Sequence, residues 1–259
     1  MELVNLFGVN FNNLNMSESI KLIDEHVQFN KKNNTSSVLV TPNVDHIVNI
    51  HKNPEFKDAY QKSSIILVDG APLYFSSKLL KKPLKEKVSG ADLVPEVLKL
   101  AEKRNYKVFI FGSREGVPKL AIDKMKSEKN YSFTIDYYSP PFGFESNPKE
   151  LSEGIERIKR FRPDILLVSL GSPKGELFIF DNLNKFKVPI SMQIGASIDF
   201  IAGTVKRAPL WMQKSGLEWF YRFIQEPRRM FKRYFINDSF FLILLIREYL
   251  KKDSKNDRL

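Results

Sequence analysis

No cysteine occurs in the 259 residues, which removes disulfides and thiolate metal sites and makes a reducing compartment the expected setting. Long apolar runs are missing as well. The longest, Phe240–Ile246, has seven residues, far short of the roughly 20 that span a bilayer as a helix. The chain is therefore not expected to cross a membrane by itself. Met1–Asn15 lacks the basic start and continuous apolar core of a signal peptide. Neither standard nucleotide fingerprint is present. Gly112-Ser113-Arg114-Glu115-Gly116 is not G-x-G-x-x-G, and no G-x-x-x-x-G-K-[ST] occurs.

What is present is ordinary in amount and uneven in placement. Hydrophobic residues make up 42% and charged residues 27%, the balance of a soluble globular protein. The length suits one large α/β domain or a domain with an appendage. Of a net charge of +11, most arises late: residues 206–259 hold 13 basic and 6 acidic side chains. An anionic partner for this tail is implied, whether phospholipid, nucleic acid or a diphosphate substrate. The chain accordingly divides into an α/β domain, 1–205, and a basic amphipathic C-terminal appendage, 206–259.

Strand and helix patterns alternate along the first part. Val4–Val9 reads as a short strand. Met16–Phe29 reads as an amphipathic helix capped by Ser17. Ser36–Val40 is a strand ended by Pro42, which cannot continue a central ladder. Ile65–Val68 is a buried strand, followed by a helix over Pro72–Leu80. The lysine-rich stretch Lys78–Lys87 reads mostly as a solvated face, and Ser89 or Asp92 starts a helix that runs to about Arg104. Further strands are expected at Lys107–Phe111, Ser132–Tyr137, Ile165–Leu170 and Pro189–Ile194, with helices at Val117–Lys129 and Pro148–Phe161. Such alternation predicts a mostly parallel, Rossmann-like sheet with helices on both faces.

In open α/β sheets, ligands bind beyond the carboxyl ends of the strands. Asp69 stands there, directly after Ile65–Val68 and before the turn at Gly70. It is either a reacting group or a helix cap and turn former. Thr41, Asn43 and His46 stand at the end of another strand, with the same two readings. Three strands end in glycine-bearing turns, at Gly112-Ser113, Gly171 and Gly195. Such turns let backbone N–H groups approach a phosphate, and the next helix adds its positive end. Together they favour a nucleotide-type ligand.

The tail differs in kind. Residues 211–241 hold ten of the chain's 32 aromatic side chains. Leu217, Phe220, Tyr221 and Ile224 form a helical stripe, Pro227 should break that helix, and Arg228, Arg229, Lys232 and Arg233 follow. Basic residues among aromatics suit a helix lying on an anionic membrane surface. Packing of the stripe on the core is the other reading.

An ordered set of short motifs resembles the WecG/TagA/CpsF glycosyltransferases. These are Thr41-Pro42-Asn43-x-x-His46, Val68-Asp69-Gly70, Val88-x-Gly90-x-Asp92-Leu93, Gly171-Ser172-Pro173-Lys174, Asp199-Phe200-x-Ala202-Gly203, Lys206-Arg207-Ala208-Pro209, and Gly216-Leu217-Glu218-Trp219 through Glu226-Pro227-Arg228-Arg229. The resemblance runs from about Val38 to Arg233. It implies an inverting transfer of a sugar such as N-acetylmannosamine from a UDP-sugar to a polyprenyl-diphosphate-linked sugar such as N-acetylglucosamine. The setting it implies is the cytoplasmic membrane face, in the synthesis of teichoic acid or other surface polysaccharides. No metal or other cofactor is expected, and no D-x-D motif is present to hold one.

By resemblance, Asp69 is the base that takes the acceptor's hydroxyl proton, with Thr41 and Asn43 orienting sugar hydroxyls. His46, Lys87, Gly112, Ser113, Gly171, Lys174 and Gly195 are substrate-binding candidates. Arg222, Arg229 and Lys232 of the appendage are the cations expected to stabilise the departing UDP. Two positions depart from the family pattern. Gly175 stands where glutamine is usual, and Lys87 where arginine is usual, which keeps the charge and loses the bidentate fork. The departures imply a changed donor or acceptor. A catalytically silent nucleotide-sugar binder at the membrane is the alternative. A nucleic-acid partner is not expected: no recognised motif accompanies the charge, and the basic excess lies beside bulky apolar residues. A homo-oligomer is compatible with the sequence.

Overall fold

The structure, a computed structural model, describes residues 2–256 and omits the side chains of Arg229, Ile236 and residues 252–256. The chain opens with an antiparallel hairpin, β1 (Leu3–Leu6) and β2 (Val9–Asn12). Phe7 and Gly8 turn it, both at positive φ. The single strand expected over Val4–Val9 is thus the first arm and turn of a hairpin. Helix α1 (Met16–Asn33) begins one residue before the expected cap. Asn15, not Ser17, caps it. The Asn15 side chain accepts the Glu18 N–H, and the Glu18 carboxylate accepts the Asn15 N–H, each at 2.9 Å.

A six-stranded parallel sheet follows, built from β3 (Ser37–Val40), β4 (Ile65–Ile66), β5 (Val108–Gly112), β6 (Ile135–Tyr138), β7 (Ile165–Ser169) and β8 (Ile190–Gln193). Its order is β4-β3-β8-β7-β5-β6. The chain leaves β3 toward one edge and β5 toward the other, so a crevice opens between the two halves at the carboxyl ends of the strands. The helices that link them are α2 (Val44–Lys52), α3 (Pro54–Gln61), α4 (Ala71–Leu79), α5 (Gly90–Arg104), α6 (Val117–Lys129), α7 (Pro148–Phe161), α8 (Lys174–Phe186) and α9 (Ser197–Ala202).

Both faces of the sheet are covered, which is why its strands are apolar at successive positions rather than alternate ones. In β7, Ile165 and Leu167 join one core with α1, α5, α6 and α9. Leu166 and Val168 join the opposite core with the hairpin and with α2, α7 and α8.

Strand β4 is shorter than the expected Ile65–Val68. Leu67 and Asp69 still donate to the carbonyls of Val40 and Pro42 at 3.1 and 2.9 Å. Pro42 has no N–H to return, so the ladder closes and the chain is released toward the cleft.

The tail continues as α10 (Leu210–Lys214), α11 (Glu218–Gln225), α12 (Pro227–Phe231), a π-helical stretch over Lys232–Asn237, and α13 (Phe240–Asn256). Pro227 divides α11 from α12 as expected. The appendage is anchored at its far end, where Phe241 and Leu244 enter the core and Phe241 meets Phe7 at 5.0 Å between ring centroids. Lys82 pairs with Glu248 at 2.9 Å beside the hairpin. Among the described residues no helix is long and apolar enough to cross a membrane.

Candidate active site

The loops after all six parallel strands line one cleft of about 1870 Å³, closed on its open side by α11, α12 and the π-helical stretch. A single small ligand typically occupies roughly 300–1,000 Å³, so the volume accommodates two substrates side by side. The N-termini of α2, α4, α5, α8 and α9 all border it. Their summed partial positive charge suits an anionic ligand.

Asp69 lies at the centre of one wall. Helix α4 starts after Gly70 without a side-chain cap, so the carboxylate is not consumed in starting that helix. Gly70 holds φ +84°, and a Cβ there would stand 3.5 Å from Asn43 Cβ. Burial pushes the Asp69 carboxyl above the ordinary range. Arg222 draws it back down, Glu218 adds to the rise, and Lys87 and His46 oppose it. A carboxyl whose proton affinity is raised by burial, with cations beside it, is suited to accepting a proton.

Asn43 and His46 cap α2 and also line the cleft. Asn43 Oδ1 caps α2 by accepting the Asp45 N–H at 3.1 Å, and it stands 2.8 Å from His46 Nδ1. The other ring nitrogen, Nε2, lies 3.1 Å from Oε1 of Glu176, a carboxylate only 1% exposed. Both residues also face the cleft, as do Thr41, Asp69, Lys87, Ser113, Gly171, Lys174, Gly195, Arg222 and Lys232. Thr41 packs against the start of α5, where a Cβ on Gly90 would come within 3.5 Å of its hydroxyl. Lys174 is paired with Glu145 and lies over the Phe142 ring.

Gly112 stands apart from the residues that line the cleft. It belongs to β5, behind the cleft wall. Its φ is +101°, and a Cβ would stand 2.6 Å from the Ser169 carbonyl oxygen. Close approach of two strands requires the glycine, and Ser113 is the residue that reaches the ligand side. Arg229 sits in α12, and its side chain lies outside the described residues.

Several residues at the site were not among the candidates. Arg233 donates from the appendage to Asn43 Oδ1 at 3.3 Å and pairs with Asp45 at 3.4 Å. Arg207 joins Asp92 at 2.7 Å and Glu218 at 3.4 Å. Glu218 in turn lies 3.6 Å from Arg222. Arg207 was in a quoted motif, so a signal existed. Arg233 was one of four basic residues in a row of similar ones, with nothing to single it out.

Asp238, just beyond the π-helical stretch, is the third. Burial pushes its carboxyl up to about 6, and the nearby Asp45 charge adds to the rise against Arg233. A raised carboxyl stabilises the fold below its unfolded pKa, and that contribution is lost as pH rises through about 6. Asp238→Asn, which keeps a donor toward Asp45, is therefore expected to raise the thermal midpoint at pH 8 and to leave it nearly unchanged at pH 4. Equal shifts at both pH values in a melting series would refute this.

The space beside Gly175 is filled from the sheet. The Gln193 carboxamide of β8 lies against Gly175. Its Nε2 donates to the Leu170 carbonyl at 2.9 Å, and its Oε1 accepts the Gly195 N–H at 2.6 Å.

A family model described as glycosyl transferase WecG/TagA/CpsF matches residues 4–255. The chain belongs to that family. It is a glycosyltransferase, as the resemblance implied. A protein of Bacillus subtilis (strain 168), named N-acetylglucosaminyldiphosphoundecaprenol N-acetyl-beta-D-mannosaminyltransferase, is 30% identical over 252 residues, 97% of this chain and 94% of that one. A Staphylococcus aureus (strain MW2) protein of the same name is 29% identical over 229 residues, 88% of this chain and 86% of that one. In this family member the whole fold, appendage included, falls within the matched region.

Proposed function

We propose that this glycosyltransferase moves an N-acetylmannosamine-like sugar, with inversion, from a UDP-sugar to an N-acetylglucosamine-like sugar on a polyprenyl diphosphate, in teichoic acid or related surface-polymer synthesis. The single observation that carries the reading is Asp69, a partly buried carboxylate beyond a strand end inside a two-substrate cleft ringed by helix N-termini. Asp69 takes the proton of the acceptor hydroxyl as its oxygen attacks the anomeric carbon. The bond from that carbon to the UDP oxygen breaks on the opposite face, which inverts the configuration. Thr41 and the Asn43 amide border the sugar beside it. Of the Asn43 side chain, Oδ1 is committed to Asp45, His46 and Arg233, so its NH2 group remains to donate to a hydroxyl.

Negative charge grows on the departing diphosphate. Arg222 and Lys232 of the appendage and Lys87 of the domain line the cleft and supply the compensating charge. We assign no metal to this chemistry.

The same appendage is proposed to meet the anionic cytoplasmic membrane face, where the lipid acceptor resides. Most exposed large hydrophobic side chains lie in it, among them Trp211 at 64%, Ile224 at 61%, Phe235 at 57% and Leu242 at 61%. The stripe of α11 is not core: none of that helix is buried. Lysines and arginines interleave with these side chains, which suits headgroup phosphates. The silent-binder reading is not favoured, because the family is one of glycosyltransferases and the relatives are named as transferases.

Release of UDP from a panel of UDP-sugars, with the acceptor in anionic vesicles, tests the reading. Release with one donor, dependent on the N-acetylglucosamine-diphosphate-lipid and falling as salt rises, is the expected result. UDP binding without release under any donor would overturn it, and release unaffected by vesicle charge would overturn the membrane contact.

A further inference from the structure

Gly175 has no conformational reason to be glycine. Its φ is not among the positive values of the chain, and it lies in the first turn of α8, where glycine costs about 1 kcal/mol relative to alanine. Space is the reason. A Cβ at this position would stand 2.7 Å from Nε2, 2.9 Å from Cδ and 3.0 Å from Cγ of Gln193. No side chain fits there while the Gln193 carboxamide holds its place.

That carboxamide is 6% exposed at the floor of the cleft, at the end of an otherwise apolar or small strand. It joins two strand-end turns. Oε1 takes the Gly195 N–H at 2.6 Å, and Nε2 donates to the Leu170 carbonyl at 2.9 Å while standing 3.5 Å from Glu176 Oε2. Glu176 holds His46 at 3.1 Å, and His46 holds Asn43 at 2.8 Å, next to Asp69. A chain of polar contacts thus runs from the cleft floor to the loop beside the base. A buried amide that lost its partners would leave them unsatisfied, at a cost large enough to move that loop.

We propose that Gln193 is a positioning residue of the transferase site, setting both the Gly195 turn and the Glu176–His46–Asn43 chain, and that Gly175 is its obligatory steric partner. The proposal rests on the transferase reading above. A Cβ at 175 would already stand against the Gln193 carboxamide, so a glutamine there and Gln193 in its present place exclude each other.

Four proteins decide it: the parent, Gly175→Gln, Gln193→Gly, and the double variant. Each is assayed for kcat, donor KM, UDP affinity by calorimetry and thermal midpoint. Each single change is expected to lower kcat/KM by about 10- to 100-fold, and the double variant is expected to recover most of that loss. Gln193→Met, close in volume without the amide, should stay folded with a modestly lower thermal midpoint and still lose activity. A fully active Gly175→Gln, or a double variant no better than the poorer single, would overturn the proposal. If the parent transfers no sugar, the transferase reading fails by itself. UDP affinity across the same set then decides the coupling: recovery in the double variant supports it, and additive losses refute it.

Discussion

Asp69→Asn is expected to lower turnover by about 10²- to 10⁴-fold while UDP affinity stays within a few-fold of the parent. The carboxamide has nearly the shape of the carboxylate, so the Asp69 backbone bond to Pro42 and the Gly70 turn persist. What is lost is the group that removes the acceptor's proton. Burial raises the carboxyl of Asp69, so the parent's rate should rise with pH through a value above the ordinary aspartate range. In the variant that limb should vanish. Single-turnover transfer and UDP calorimetry on the same samples make the comparison. A variant as fast as the parent would remove Asp69 from the chemistry, and a variant unable to bind UDP would make it a structural residue.

Arg222→Ala is expected to cost about 10²- to 10³-fold in kcat, with a smaller effect on donor KM. Arg222 projects from α11 into the cleft, over the Phe200 ring at 5.6 Å and 3.6 Å from Glu218. Removing it withdraws positive charge from the place where the leaving diphosphate accumulates negative charge. It also leaves Asp69 facing Glu218 with one cation fewer, so the carboxyl should titrate higher still. The kinetic limb assigned to Asp69 should therefore move to higher pH in this variant. Arg222→Lys should retain part of the rate, since the charge remains and the planar fork is lost. An unchanged kcat with raised KM would assign Arg222 to ground-state binding instead.

Much of this site was legible because its local signals agreed. Pro148 and Val117-Pro118 mark helix starts, and α6 and α7 lie where their patterns put them. Asp69, Asn43 and His46 could be placed at the cleft because a polar residue directly after an apolar strand has a definite place in a parallel sheet. The limits of β4 were not legible, because they depend on Pro42 in a neighbouring strand. Gly112 was hard to read, since a glycine needed for strand approach and one needed for a phosphate look alike in sequence. Gln193, Arg233 and Asp238 act through partners far away in the chain. Arg233 meets Asn43 across 190 positions, and no local pattern records such a meeting.

Strand β4, which leads to Asp69, is the flank of the sheet. An uncovered flank offers unpaired backbone donors and acceptors to any passing strand. Here the Asn12 side chain accepts the Ile66 N–H at 2.7 Å, in the place a further strand would take, and the N-terminal hairpin lies beside it. Lateral growth of the sheet at that flank is blocked by one amide oxygen. Self-association of this protein must therefore use another surface, and the strand that delivers the base is shielded from intermolecular pairing and the aggregation it seeds.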